Sequence, residues 1–208
     1  MDSLLLPSLQ PLFLKPLHYP GDIIFSSYVP SLHKHISFRS MALETDTDMI
    51  FDWVNRDYAL KYWQLNGSRQ RVFDTYYNIQ RNSNGHSYIG LLDKKPICQF
   101  DVYRVMADEI IQYITADGND CGFHLLMAPN DSPVQDLSLL VTRTFLQYYF
   151  SFQEARRMFA EPDIENQRSN RILQRAGFGF LQGIRMSYKT ANLYCITKDE
   201  FNATHSNP

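Results

Sequence analysis

The segment CGFHLLM contains a histidine whose position suits proton transfer. In an extended strand Phe123, Leu125 and Met127 share one face, which leaves His124 on the other. Asp163 follows the next predicted strand, at the carboxyl end where such sheets place ligands. His124 can take a proton from an attacking nitrogen, and Asp163 can orient the imidazole or hold the substrate. From spacing alone, an interior histidine and a helix-capping loop aspartate remain the alternative interpretation.

The sequence offers no clear enzyme nucleophile and no metal site. Cys98, Cys121 and Cys195 are scattered singly, which fits neither a disulfide framework nor the paired spacing of a zinc site. We expect reduced, buried thiols. No G-x-S-x-G elbow is present, and the histidines other than His124 have no ligand-like company in the sequence. A reaction at these residues is therefore expected to use a nucleophile supplied by the substrate.

The composition of the chain limits the classes of partner that it can be expected to bind. The chain has 208 residues, 44% of them hydrophobic, which is enough for one good core. The net charge is -2 with both signs interspersed, so neither a nucleic-acid footprint nor a polybasic lipid patch is indicated. No run of about 18 apolar residues predicts a membrane span. We expect a cytoplasmic protein that binds small molecules, as a monomer or a homodimer.

The chain divides into an extension, one domain and a tail. Residues 1–34 contain five prolines, which predict extended segments and turns packed on the main domain. The domain is expected to cover residues 35–200. Residues 201–208 are expected to form a tail that frays from Thr204 onward.

Hydrophobic periodicity predicts the elements that position the candidate residues. The expected strands are Ile36–Arg39, SYIGLLD and PICQFDVYR as a hairpin, EIIQYIT, CGFHLLMA, Arg157–Ala160, Phe178–Met186 and Asn192–Thr197. The expected helices are one capped by Thr45 or Asp46, Arg69–Arg81, Pro133–Phe150, and Asn166–Ala176 with Asn166 as N-cap and Gly177 as stop. This order predicts an α/β chain of the α+β type, a mixed, mostly antiparallel sheet flanked by helices.

Four segments carry a resemblance to a known family. They are YWQLNG at Tyr62–Gly67, QFDVYR at Gln99–Arg104, GFHLLM at Gly122–Met127 and AEPDIENQRSNRILQRAGF at Ala160–Phe178. The chain resembles the GNAT acyltransferases, and within them the branch that acylates hydroxylamines in hydroxamate siderophore biosynthesis. The helix that ends in AGF is typical of the wider fold, whereas HLLM followed by EPD-x-x-N is typical of that branch.

The resemblance implies a reaction and a set of site residues. The donor would be an acyl-CoA (acetyl-CoA or longer), and the acceptor a small-molecule hydroxylamine such as N-hydroxylated lysine, ornithine or diamine. His124 and Asp163 would be the catalytic pair. The implied cofactor-binding residues are Leu125, Leu126, Met127, Gln135, Asp136, Leu137, Ser138, Asn166, Asn170 and Arg171. Trp63, Asp101 and Tyr103 would contact the acceptor, although core packing and solvent exposure explain such strand and aromatic residues equally well.

One window departs from the family pattern. The family wraps the CoA pyrophosphate in a turn rich in arginine and glycine, but residues 128–138 contain neither. Ser132 to Gln135 instead resembles a capping box with Pro133 at the first helical position. Asp131 and Asp136 also bring negative charge toward an anionic ligand. Three hypotheses follow: a hydroxylamine acyltransferase, a non-catalytic GNAT-like binding domain, or a GNAT enzyme for an ordinary amine.

Overall fold

The computed structural model describes residues 19–130 and 133–205. Eight strands form one sheet in the order β1-β2-β3-β4-β5-β6-β8-β7. The strands are β1 Ile23–Val29, β2 Lys34–Ser40, β3 Gly85–Leu92, β4 Lys95–Arg104, β5 Cys121–Met127, β6 Arg157–Ala160, β7 Gly179–Arg185 and β8 Thr190–Thr197. The helices are α1 Leu43–Val54, α2 Asp57–Leu60, α3 Arg69–Arg81, α4 Leu137–Ser151, α5 Gln167–Ala176 and α6 Lys198–His205. Every pairing except β5 with β6 is antiparallel, which confirms the predicted mixed sheet flanked by helices.

The sheet is covered on both faces because successive strand residues point in opposite directions. On β3, Tyr88 joins an aromatic cluster with α4, in which Phe100 and Phe145 stack 4.1 Å apart between ring centroids. The next residue, Ile89, packs instead with α1 and α3. The central strands are therefore packed against α4 on one face and against α1 and α3 on the other.

Strand β5 parts from β6 after two residues. Their parallel pairing consists of Cys121 with Met158 and Gly122 with Phe159. In contrast, β4 pairs with the whole length of β5, from Arg104 with Cys121 to Cys98 with Met127. Within the residues described, the remainder of the β6-facing edge of β5 has no strand beside it. This gap places backbone groups and side chains of β5 on the wall of a cavity.

Several predicted elements are confirmed. Helix α3 has the predicted bounds, and the hydroxyl of Ser68 caps it by accepting the N–H of Arg71 at 3.2 Å. Asn166 caps α5 by accepting the N–H of Ser169 at 3.1 Å. Gly177 ends that helix with a φ of 101°, a left-handed conformation that glycine adopts without steric cost.

The predicted start of α4 is wrong. The helix begins at Leu137 rather than at Pro133, because Asp136 has a φ of 57° and interrupts helical geometry. That conformation is accompanied by an ion pair from Asp136 to Arg175, 2.6 Å long. Gln135 therefore lies in a turn before the helix rather than in its first turn. Asp131 and Ser132 lie outside the described residues.

The predicted strand EIIQYIT is also wrong. Glu109–Gln112 is a 3₁₀ turn, capped by the carboxylate of Asp108, which accepts the N–H of Ile110 at 3.0 Å. Since β4 pairs directly with β5, the sheet has no place for a strand between them. The apolar side chains of the segment pack instead against β7 and β8 in a small separate cluster.

The predicted cap of α1, Thr45 or Asp46, is wrong. The helix begins at Leu43 after Ala42, and Asp46 acts from within the first turn by accepting the N–H of Ala42 at 2.8 Å.

Toward the C-terminus, Thr204 belongs to α6 rather than to a frayed tail. Residues 1–18 of the predicted extension and 206–208 of the tail lie outside the described residues, and the part from Ile23 to Val29 is an edge strand of the sheet.

Among residues 19–130 and 133–205, no helix is both long and apolar enough to cross a membrane.

Candidate active site

His124 is hydrogen-bonded to a buried carboxylate. Its Nε2 atom lies 2.6 Å from Oε1 of Glu161, the residue that directly follows β6. The Glu161 side chain is 1% exposed, whereas that of His124 is 38% exposed and faces the cavity. A carboxylate on one side and an open face on the other is the arrangement that an acid–base histidine requires.

The carboxylate of Glu161 has two further partners. The hydroxyl of Tyr103 donates to its Oε2 at 2.5 Å, and the ammonium of Lys189 lies 3.4 Å from the same Oε1 that contacts His124. Lys189 is itself largely buried. These contacts satisfy an ion that would otherwise be costly to bury.

The pair shifts the pKa values of both members. Burial lowers the pKa of His124, but the adjacent Glu161 carboxylate outweighs burial, so the net shift is upward. Burial raises the pKa of Glu161, and the charges and hydrogen bonds of His124, Lys189 and Tyr103 more than reverse this effect, so its net shift is downward. Glu161 is therefore an anion that holds a proton on His124 more firmly than water would.

A glycine on β5 allows Tyr103 to reach Glu161. Gly122 and Tyr103 are paired across β4 and β5, and the tyrosine ring crosses the position where a Cβ on Gly122 would stand. Any other residue there would displace the ring. The ring centroid of Tyr103 is 5.0 Å from that of His124, so the same tyrosine also flanks the imidazole.

The sequence predicts that Asp163 orients the imidazole or holds the substrate. In the structure the carboxylate hydrogen-bonded to His124 is that of Glu161, and the catalytic role of Asp163 stays a prediction. One oxygen of Asp163 accepts the N–H of Glu165 at 2.8 Å, and its backbone carbonyl accepts the amide of Asn170 at 2.9 Å. Asp163 thus organises the loop before α5, and it also lines the cavity. Glu161 was missed although it occupies the end of β6, the location that the strand-end rule indicates.

Asp101 lies opposite His124 across β4 and β5. Its carboxylate accepts hydrogen bonds from the Ser87 hydroxyl and, at 2.6 Å, from the Gln99 amide. Burial raises its pKa to about 6, against the opposing effect of these donors and of His124. Trp63 approaches the imidazole edge-on, with 6.2 Å between ring centroids.

One cavity of about 990 Å³ brings most of the predicted residues together. It is lined by His124, Asp163, Trp63, Asp101 and Tyr103, by Leu125, Leu126 and Met127 of β5, and by Ser138 and Asn166. The volume is at the upper end of the range for small-molecule sites. Lys189, Asp108 and Tyr188, which the sequence did not indicate, line it as well.

A second, smaller cavity of about 270 Å³ adjoins the first near the start of α4. Asp136, Leu137 and Arg171 lie here rather than in the main cavity, and Ser138 borders both. Arg168 and Arg175 of α5 add to its wall. Gln135 lines neither cavity. Asn170 is a buried residue of α5, and its side-chain carbonyl oxygen accepts the amide of Asn192 at 2.8 Å.

Comparison with known families identifies the domain. The model of the Acetyltransferase (GNAT) domain matches residues 42–186, well over half of the chain. The chain belongs to this family of acetyltransferases, as its sequence resemblance predicted. The expected class of enzyme is thereby confirmed at the level of the family.

Named relatives are distant. An N-hydroxyputrescine acetyltransferase of Acinetobacter baumannii is 24% identical over 79% of this chain and 79% of its own length. An N(6)-hydroxylysine O-acetyltransferase of Escherichia coli is 25% identical over 88% of this chain and 58% of its own length. A Schizosaccharomyces pombe relative is matched over 55% of its length, so the chain spans little more than half of some relatives.

Solved structures confirm the fold. A protein from Bacillus halodurans superimposes with a TM-score of 0.83 at 22% identity, over 88% of this chain and 94% of that one. An aminoglycoside acetyltransferase solved with coenzyme A gives a TM-score of 0.75 at 20% identity, over 82% of this chain and 99% of that one. At such identities the likeness concerns the fold alone.

Proposed function

We propose that this protein transfers an acyl group from acyl-CoA to the nitrogen of an N-hydroxylated amine. The observation that carries the proposal is the His124–Glu161 pair, which stands on the wall of the large cavity beside the unpaired edge of β5. The names of the distant relatives, two of which refer to hydroxylated amines, support the acceptor class.

The reaction needs one base and one site for negative charge. The neutral hydroxylamine nitrogen attacks the thioester carbonyl carbon, forming a C–N bond and a tetrahedral adduct. A backbone N–H on the free edge of β5 stabilises the oxyanion. His124 takes the proton from nitrogen, the C–S bond breaks, and the imidazolium returns that proton to the CoA thiolate. Glu161 stabilises the transient imidazolium, as its buried charge and short hydrogen bond allow.

The donor is proposed to lie along β5. Its pantetheine arm pairs with the edge that β6 leaves free, in the manner of an added strand. The phosphates reach the smaller cavity, where Arg168 and Arg171 provide the cations that the turn before α4 lacks. No acceptor of a hydrogen bond or ion pair from the Arg168 guanidinium is found in the described part of the chain.

The proposed roles of the predicted residues are based on these positions. Asp163 and Asn166 shape the wall near the start of α5 and thereby position the donor. Trp63 and Asp101 bound the acceptor side of His124. Tyr103 holds Glu161 and flanks the imidazole, and so acts on the base rather than on the acceptor.

The test is turnover with a panel of acceptors. Purified protein, acetyl-CoA and N-hydroxycadaverine should yield free thiol and a product whose mass has increased by one acetyl group. His124→Ala should lower kcat by at least about 100-fold, while His35→Ala, a change at an exposed histidine of β2, should not. Absence of thiol release from a folded protein across acyl-CoAs and hydroxylamines would refute the proposal.

The altered turn before α4 favours a second candidate, a non-catalytic GNAT-like domain. Calorimetry with CoA separates the two. Binding in the micromolar range or tighter supports the enzyme, whereas no binding at millimolar CoA supports the non-catalytic domain. Equal kcat/KM for cadaverine and N-hydroxycadaverine would point instead to an enzyme for ordinary amines.

A further inference from the structure

Asp108 borders the main cavity with only half of its carboxylate in use. Its Oδ1 accepts the N–H of Ile110 at 3.0 Å, which fixes the side chain at the start of the 3₁₀ turn. In the part of the chain that the structure describes, no donor contacts Oδ2. The carboxylate is half-buried and faces the same cavity as His124.

The segment that carries Asp108 is held in place from outside. The carboxylate of the next residue, Glu109, accepts the backbone N–H of Ser187 at 2.7 Å and its hydroxyl at 2.8 Å. Ser187 lies in the turn between β7 and β8 that also presents Tyr188 and Lys189 to the cavity. The turn and the segment therefore form one corner of the site, here called the acidic corner: Asp108, Glu161, Tyr188 and Lys189.

The acidic corner has more negative than positive charge. Glu161 is neutralised by Lys189 and by its hydrogen bond to His124. No such partner neutralises Asp108 within the described residues. Burial raises the pKa of Asp108, and the charge of Glu161 adds to this effect; the hydrogen bond from Ile110 and the charges of His124 and Lys189 lower it, but the net shift is upward. Burial and the charge of Glu161 both disfavour the ionised form of Asp108, and a cation bound at this corner would offset both effects.

Several other charged groups around the cavity are already paired, although Arg168 is not paired within the described residues. Lys61 forms an ion pair with Glu165 at 2.9 Å, and Arg104 donates to the carbonyl of Gly118 at 3.0 Å. Asp101 receives donors from Ser87, Gln99 and Tyr76. In the described part of the chain, Asp108 and Asp163 are thus the carboxylates of the cavity wall with an oxygen left for a ligand, and of the two only Asp108 lies in the acidic corner.

We infer that Asp108 binds a second, cationic nitrogen of the acceptor, so that the preferred acceptor is an aliphatic hydroxylamine that also carries a protonated amine. This inference rests on the proposed function. The reacting nitrogen is neutral and approaches His124, while the distant ammonium donates to Oδ2 of Asp108. The aromatic ring of Tyr188, over which Lys189 already lies at 5.2 Å, forms the adjacent wall for the aliphatic linker.

The test uses two acceptors that differ in one charge. N-Hydroxycadaverine carries the second ammonium, and N-pentylhydroxylamine has the same chain length without it. Asp108→Asn preserves a side-chain oxygen that caps the turn and removes the negative charge. It should raise KM for N-hydroxycadaverine by about 10-fold or more, since a charge-assisted hydrogen bond is lost. KM for N-pentylhydroxylamine and kcat for both acceptors should change less than about twofold.

Asp199→Asn, at an exposed position of α6 away from the cavity, is the matched control for the loss of one charge. Unchanged KM for N-hydroxycadaverine in Asp108→Asn, or an equal rise for both acceptors, would overturn the inference while leaving the acyltransferase intact. Failure of the wild-type protein to acylate either hydroxylamine would instead refute the proposed function, and this inference with it.

Discussion

Oε1 of Glu161 contacts both an imidazole and an ammonium group. It lies 2.6 Å from Nε2 of His124 and 3.4 Å from Nζ of Lys189. The two neighbours act on the histidine in opposite directions. Glu161 raises the pKa of His124, and Lys189 lowers it. Because the free base must be unprotonated to accept the proton from nitrogen, this balance sets the lower pH limit of the proposed reaction.

Glu161→Gln is expected to shift activity toward lower pH. Loss of the carboxylate lowers the pKa of His124, so the neutral imidazole is present at a pH where the wild-type residue is still protonated. Maximal kcat should fall by about 10-fold or more, since the imidazolium loses its counter-ion. The pH profile of kcat/KM measures both effects. An acidic limb at the wild-type position would show that Glu161 does not control His124.

Lys189→Met is expected to shift the same limb upward. Without the ammonium, the charge of Glu161 acts on His124 unopposed, and the pKa of His124 rises further above its ordinary value. Activity at pH 6 to 7 should decline while the plateau at higher pH persists. Lys198→Met serves as the control, because Lys198 donates to the carbonyl of Phe152 away from the cavity. A downward shift of the limb would contradict this account.

Gly122→Ala is expected to disturb the site through Tyr103. The added Cβ would meet the tyrosine ring, which must move away and give up its hydrogen bond to Glu161. We expect a loss of about 1–3 kcal/mol in the free energy of unfolding, together with a lower kcat. Gly183→Ala on β7 is the matched control, because its added Cβ would meet no atom within 4 Å. Thermal unfolding and turnover measure the two effects, and equal behaviour of both variants would argue against a steric role for Gly122.

Asp46→Ala is expected to lower stability without a direct effect on the site. Asp46 makes two contacts to the guanidinium of Arg39, at 2.6 and 2.7 Å, and also accepts the N–H of Ala42. Both side chains are largely buried, so removal of one partner should cost about 3–5 kcal/mol. Asp52→Ala, which breaks the exposed pair with Arg56, should cost less than about 1 kcal/mol. Urea unfolding measures both, and similar losses in the two variants would contradict the role given to burial.

Arg168→Ala and Arg171→Ala are expected to weaken CoA binding by about 10-fold each if the smaller cavity holds phosphates. Binding of pantetheine, which lacks those phosphates, should be unaffected by either change. Calorimetry with the two ligands makes the comparison. An equal effect on both ligands would place the arginines elsewhere in recognition.

Local signals sufficed for part of the fold. Helix α3 and the caps of α5 were predicted correctly because their hydrogen bonds connect residues three to four positions apart. The start of α4 was not, since the left-handed conformation of Asp136 accompanies an ion pair to Arg175, 39 residues away. The strand predicted at EIIQYIT failed for a related reason, because pairing of β4 with β5 is a property of the whole sheet.

In the candidate site, too, local patterns predict some features and contacts between distant segments determine the others. Alternation along β5 places His124 and Phe123 on opposite faces of the sheet. The parallel pairing of β5 with β6 brings the end of β6 close to His124. Which carboxylate meets the imidazole depends on the register of two parallel strands over only two residue pairs. That register selects Glu161 over Asp163, whereas the strand-end rule is satisfied by both residues.

The two-residue contact between β5 and β6 has a consequence for stability of the empty protein. Outer edges of sheets risk pairing with other chains, but this edge of β5 lies inside the sheet, on the side of β6. Beyond Gly122, no described strand uses its amides and carbonyls, although the Met127 carbonyl accepts the Tyr58 hydroxyl at 2.8 Å. A pantetheine arm in this gap would pair with β5 beyond Gly122 only in the folded protein, so the loaded protein should be more stable to unfolding than the unloaded one.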